Sequence, residues 1–224
     1  MKPIPRMLAL AALLAATCSA GAVPLVTDTW VSLPGTTVAA EPQLAGLVLE
    51  DVIQPFSFTD SSGTISGTVQ SRVVRSSVDG TLDFYWRIIS DASSTAGIGS
   101  FRLGNFVAPQ YNANWRIDGL GNVAPNAAYL FSSPSNGYVN FSFTSPTGAA
   151  TLGPGQESYF ILMDTTATNY AQTAFYDLTN LGQTHISTGY ATFAPAPVPE
   201  PESYGMLLAG LAAVGVAAQR RRSR

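Results

Sequence analysis

The sequence predicts a mainly β protein: an antiparallel β-sandwich, jelly-roll or immunoglobulin-like, set between an N-terminal signal helix and a C-terminal transmembrane helix. Three observations carry this. Short apolar runs alternate with period two and are cut by Gly, Pro, Asn and Asp every ~8–12 residues, the punctuation of a sandwich. Nothing between the two ends sustains the 3.6-residue periodicity of an amphipathic helix. Both ends, by contrast, are uncharged apolar runs flanked by basic residues.

The clearest element is a hairpin. Thr64 to Val73 alternates apolar and polar residues, Ser77-Val78-Asp79-Gly80 supplies a turn, and Asp-Gly is a strong hairpin signal. The return strand, Thr81 to Ile89, places Leu82, Phe84, Trp86 and Ile88 on one face, so Trp86 should be core. Further strands are expected at 44–49, 98–106, 138–144, 158–164, 171–178 and 186–193. In the fourth of these, Ser158-Tyr159-Phe160-Ile161-Leu162-Met163 is apolar on both faces and reads as a central strand. Leu152-Gly153-Pro154-Gly155-Gln156 ahead of it is a turn.

The termini read as addresses. Lys2 and Arg6 precede an apolar stretch, Met7 to Thr17, too short to span a bilayer. Small residues follow at Ala20-Gly21-Ala22, completing a secretory signal peptide over 1–22, with cleavage expected after Ala22 and Ala20 as the runner-up. Cys18 lacks the residues a lipoprotein signal places ahead of its cysteine.

At the other end, Pro199-Glu200-Pro201 is followed by an uncharged run over 204–218 and then by Arg220, Arg221, Arg222 and Arg224. Such a run can sit in hydrocarbon, and the arginines would hold its far end on the cytoplasmic side. This order resembles the PEP-CTERM sorting signal of bacterial exported proteins. The resemblance covers residues 198–224 and implies recognition by an exosortase, a membrane-embedded protease-like enzyme. The segments Leu152 to Ser158 and Ala191 to Pro195 also look like parts common in PEP-CTERM ectodomains, which implies a β-sandwich of no established activity. The expected organisation is therefore a signal peptide (1–22), a sandwich ectodomain (23–193), a Pro/Ala linker (194–198) and a sorting signal (199–224).

Composition narrows the ectodomain further. It has no cysteine, so neither disulfides nor thiolate chemistry serve it. Between Val23 and Pro199 stand twelve carboxylates against five arginines and no lysine, a net of −7. That sign gives no footprint for nucleic acid.

Candidate chemistry is sparse. His185 is the only histidine, no Gly-x-Ser-x-Gly elbow accompanies it, and a surface turn is its simpler role. Glu50 and Asp51 are adjacent and would face opposite sides of a strand, while Asp79 and Asp83 flank the hairpin turn. A glycosidase acid pair would have to be assembled by the fold. The loops Asp60-Ser61-Ser62-Gly63 and Asp91-Ala92-Ser93-Ser94 offer oxygen ligands but match no calcium motif, and no metal or cofactor is expected. For carbohydrate, Tyr111 and Trp115 are the candidate contacts, four apart with Asn112 and Asn114 between them. Trp30, Tyr129, Tyr138 and Tyr190 complete the aromatic pool.

The reading is an exported, non-enzymatic protein of the cell surface or exopolysaccharide matrix. Signal peptidase and exosortase act on it in transit, and the C-terminal helix holds the precursor in the inner membrane. The alternative is a carbohydrate-binding module on the same scaffold.

Overall fold

The computed structural model describes residues 21–133, 137–144 and 152–197. The expected signal helix, the transmembrane run at 204–218 and the arginine block lie outside the described residues. Within them no helix is long and apolar enough to cross a membrane.

Among the described residues, twelve strands form two six-stranded antiparallel sheets. They are β1 (Val23–Pro24), β2 (Trp30–Ser32), β3 (Gly46–Asp60), β4 (Gly63–Ser76), β5 (Leu82–Ser90), β6 (Ile98–Gly104), β7 (Asn112–Arg116), β8 (Ala127–Leu130), β9 (Val139–Ser142), β10 (Phe160–Asp164), β11 (Tyr170–Asn180) and β12 (Tyr190–Pro195). The first sheet runs β1-β7-β10-β5-β4-β3 and the second β12-β11-β6-β9-β8-β2. Their facing sides share one core, in which Val73, Phe84, Trp86 and Ile161 of the first sheet meet Phe101, Phe141, Tyr176 and Leu178 of the second. Burying such side chains is worth about 1.5–3 kcal/mol each, the main drive holding the layers together.

The hairpin forms as its alternation requires: Leu82, Phe84, Trp86 and Ile88 are all buried. Its turn closes through Gly80, whose φ of +75° suits glycine, and through Asp79, whose Oδ1 accepts from the Thr81 amide and hydroxyl. β10, apolar on both faces, lies inside its sheet between β7 and β5. Three differences from the sequence reading stand out. β3 continues to Asp60 rather than ending near Leu49, β7 makes a strand of 112–116, and β12 runs two residues into the expected linker, with Ala194 fully buried.

The first sheet also packs on its second face, over parts of β4, β5 and β10. On the side away from the core, Leu44, Val74, Tyr85, Phe160 and Leu162 form a second, smaller cluster against which Ala22 packs. Leu44 comes from a 3-10 turn, Pro42–Leu44, and the Tyr85 hydroxyl pins it by donating to the Leu44 carbonyl at 2.8 Å. The segment before β3 thus folds back as a lid on this face.

Candidate ligand-binding face

The outer side of the second sheet is open at its β2–β8 end, where Trp30 is exposed, and covered toward its middle, where Ser100, Asn140 and Thr179 are buried. Register places one residue from each of five neighbouring strands in a transverse row: Trp30 opposite Tyr129, Tyr129 opposite Asn140, Asn140 opposite Arg102, and Arg102 opposite Asp177. Tyr129, Asn140, Arg102 and Asp177 lie on the non-core side, because their chain neighbours Ala128, Val139, Phe141, Phe101, Leu103 and Tyr176 fill the core, and Trp30 joins them through its ring contact with Tyr129.

The aromatic end of the row is open. Trp30 is 50% exposed and packs on Tyr129 at 5.1 Å between centroids, and Phe131, also exposed, meets Tyr129 edge-on at 4.7 Å. Asp28 stands beside them and accepts from the Tyr129 hydroxyl and the Ser132 amide; the Ser132 bond holds its carboxyl below the usual range. The polar end is tied down. Arg102 donates from Nε and an Nη to the two oxygens of Asp177, at 2.6 and 2.9 Å. That fork-on-fork pairing fixes both side chains. Between the ends, Asn140 is 2% exposed and its Oδ1 has no hydrogen-bond partner among the described residues. A cavity of about 240 Å³ opens beside the Arg102–Asp177 pair, lined by both with Phe131, Ser133, Tyr138 and Phe175 and parts of β6 and β9. Flat apolar rings, an amide and an ion pair in one row offer stacking and hydrogen bonds without a nucleophile.

Tyr111 and Trp115, the sequence candidates for sugar contact, are half-buried and occupied. Trp115 stacks on Tyr159 at 4.9 Å, donates from Nε1 to the Leu33 carbonyl, and lies under Gly35, where an added Cβ would come within 2.5 Å of the ring. The Tyr111 carbonyl accepts from the Leu25 amide, and its hydroxyl accepts from the Ala108 amide. Trp30 and Tyr129 belonged to the same aromatic pool, but nothing in sequence spacing joins residues 99 positions apart; only the β2–β8 register does.

The remaining sequence candidates are accounted for locally. His185 is exposed after the turn Leu181–Gln183, with Nδ1 against the Thr184 hydroxyl. Asp60 accepts from Ser62 and Asn180, and Asp91 from Ser66, so each closes a loop. Asp51 accepts from Gln70 and Arg72, and Glu50 from the Tyr170 hydroxyl, on opposite sides of β3. The fold does assemble one acid pair. Asp83 sits opposite Asp164 across β5 and β10, 1% exposed, facing the lid side. Burial first, then the Asp164 charge, pushes the Asp83 carboxyl up to about 9. A second cavity, about 780 Å³, lies where the chain leaves the sandwich, between 107–109, 166–168 and 195–197.

The family comparison speaks for the tail alone: residues 197–222 match the PEP-CTERM protein-sorting motif. The chain carries that signal, which marks an exported protein with a membrane-anchored precursor sorted by an exosortase. No curated protein and no solved structure matches the chain.

Proposed function

We propose that this chain is a non-enzymatic, exported β-sandwich of the cell surface or exopolysaccharide matrix, held at the inner membrane by its tail until exosortase releases it. The observation that carries this reading is the abutment of domain and signal. β12 ends at Pro195, the Ala196 amide is still bonded to the Asn169 carbonyl, and the motif begins at residue 197. The seven steps from residue 197 to residue 204 reach at most about 25 Å when extended, so the sandwich is held close above the bilayer. Deleting residues 199–224 should therefore turn a membrane-fraction precursor into a freely soluble exported protein. Retention of the truncated chain in the membrane fraction would overturn the reading.

One observation favours polysaccharide binding as the domain's task. The transverse row on the second sheet sets exposed rings beside a part-exposed, fixed Arg102–Asp177 ion pair, the mixture that sugar C–H faces and hydroxyls require. Trp30→Ala and Tyr129→Ala, both on the solvent side, should leave the melting temperature within a few degrees of wild type, since surface changes cost about 0.5 kcal/mol. Retention on the host's own exopolysaccharide in a pull-down should fall at least about tenfold, the loss of roughly 1.4 kcal/mol of contact. Undiminished retention in both variants would remove this face from consideration.

A further inference from the structure

The lid side of the first sheet gathers carboxyl groups that no side-chain cation pairs with among the described residues. Asp83 is 1% exposed, and neither of its carboxyl oxygens receives a hydrogen bond from an N–H or O–H among the described residues. Glu41 is 8% exposed, and its Oε2 is likewise buried without a partner. Asp164 and Asp79 complete the set, and Glu41 and Asp79 both stand near enough to act on Asp83 and Asp164. The side-chain cations are spoken for. Arg72 pairs with Asp51, Arg87 with Glu157, Arg102 with Asp177 and Arg116 with Asp118, while Arg75 donates to the carbonyls of Gly80 and Thr168. The ectodomain has no lysine. Nor do three acidic or metal-ligating side chains among the described residues converge as a metal cage.

The start of the described chain lies on this cluster. The Ala22 amide donates to Glu41 Oε1 at 2.9 Å, and a Cβ added to Gly21 would come within 2.6 Å of the same oxygen. The Gly21 carbonyl accepts from Asn114 Nδ2 at 2.9 Å, and Ala22 packs on the lid-side cluster. Gly21 and Ala22 are therefore working parts of the domain. Cleavage after Ala22 would discard them.

We infer that the mature chain begins at Gly21 and that its α-ammonium is the counter-charge of this site, seated beside the Glu41 carboxylate above the Asp83–Asp164 pair. Cys18-Ser19-Ala20 provides the small residues that signal peptidase needs three and one positions before the cut. Hydrolysis adds water across the Ala20–Gly21 amide: Ala20 leaves as a carboxylate and Gly21 keeps the nitrogen as an ammonium. The precursor offers only a neutral amide here. The positive charge appears with processing, so release of the signal peptide and completion of the lid-side packing are one event. This rests on the export reading above.

The lone lysine, Lys2, lies in the removed segment, so a chain starting at Gly21 has one amine in all. N-terminal sequencing of the protein purified from the native host's exterior separates the outcomes. A start at Gly21 supports the inference, a start at Val23 or a chain that keeps residues 1–20 overturns it while leaving export intact, and absence of the chain from the exterior defeats the export reading itself. Reductive methylation with ¹³C-formaldehyde then labels that amine alone, preserving its charge, and NMR titration reads its protonation. Against an ordinary α-amino value of about 7.7–8.0, the site should raise it by about one unit or more, since Glu41, Asp79, Asp83 and Asp164 face it, with Tyr85 and Arg116 nearby. Glu41→Gln should bring it back toward the ordinary range. If that variant does not accumulate, Asp164→Asn, which removes the member of the pair that the hydrogen bond from Asp83 keeps more acidic, should lower it by a smaller step. An ordinary value in wild type, or one indifferent to these substitutions, overturns the seating.

Discussion

Truncating Trp86 to alanine should lower the melting temperature by well over ten degrees or abolish soluble expression of the exported domain. Trp86 is 1% exposed at the centre of the shared core, between Phe101 at 5.8 Å and Phe106 at 5.7 Å. Its indole Nε1–H donates to the Thr192 hydroxyl at 2.8 Å, tying β5 of one sheet to β12 of the other. Removal of a buried Trp costs about 3–5 kcal/mol through lost transfer energy and the cavity left behind. A domain of this size has only about 5–15 kcal/mol in total, and no disulfide backs it up. Trp86→Phe separates the contributions: it keeps most of the volume but loses the bond to Thr192, and should fall between wild type and alanine. Thermal denaturation by circular dichroism reads all three. If alanine melts with wild type, Trp86 does not join the sheets.

Where residues speak to their immediate neighbours, the chain was readable. The alternation through Leu82, Phe84, Trp86 and Ile88 and the Asp79-Gly80 turn defined β4 and β5 because hairpin register is local. The second half of β3 was not readable, because Pro55 argues against a strand there. The structure explains its tolerance: β3 is the edge of its sheet, so that missing N–H need not serve a further strand. β1, β2, β7 and β8 are two to five residues long, too short for alternation to show. The sorting signal was legible because it is linear. The transverse row was not, since Trp30, Tyr129, Asn140, Arg102 and Asp177 come from five strands and meet only through register. The same holds for Asp83 and Asp164.

That acid pair gives the second large effect. Asp83→Asn should stabilise the domain at neutral and mildly alkaline pH and flatten its stability profile. An Asp carboxyl ordinarily loses its proton near 3.8, but burial, and then the facing Asp164, push Asp83 up to about 9 in the fold. Between those values the folded chain holds a proton that the unfolded chain has released. Stability is therefore full below 3.8, declines as pH rises, and levels off beyond about 9. Asparagine cannot ionise, and its amide can donate to Asp164 in the proton's place. At pH 8, the variant should be more stable than wild type by something on the order of 3 kcal/mol, each pKa unit being worth about 1.4 kcal/mol. At pH 4 the two should nearly coincide. Asp164 is also raised, through burial first, so a shallow slope should remain in the variant. Urea denaturation at pH 4, 6 and 8, on chains sharing one N-terminus, measures the profile. Parallel slopes in wild type and variant would mean that Asp83 ionises alike in both states, with its charge already balanced in the fold.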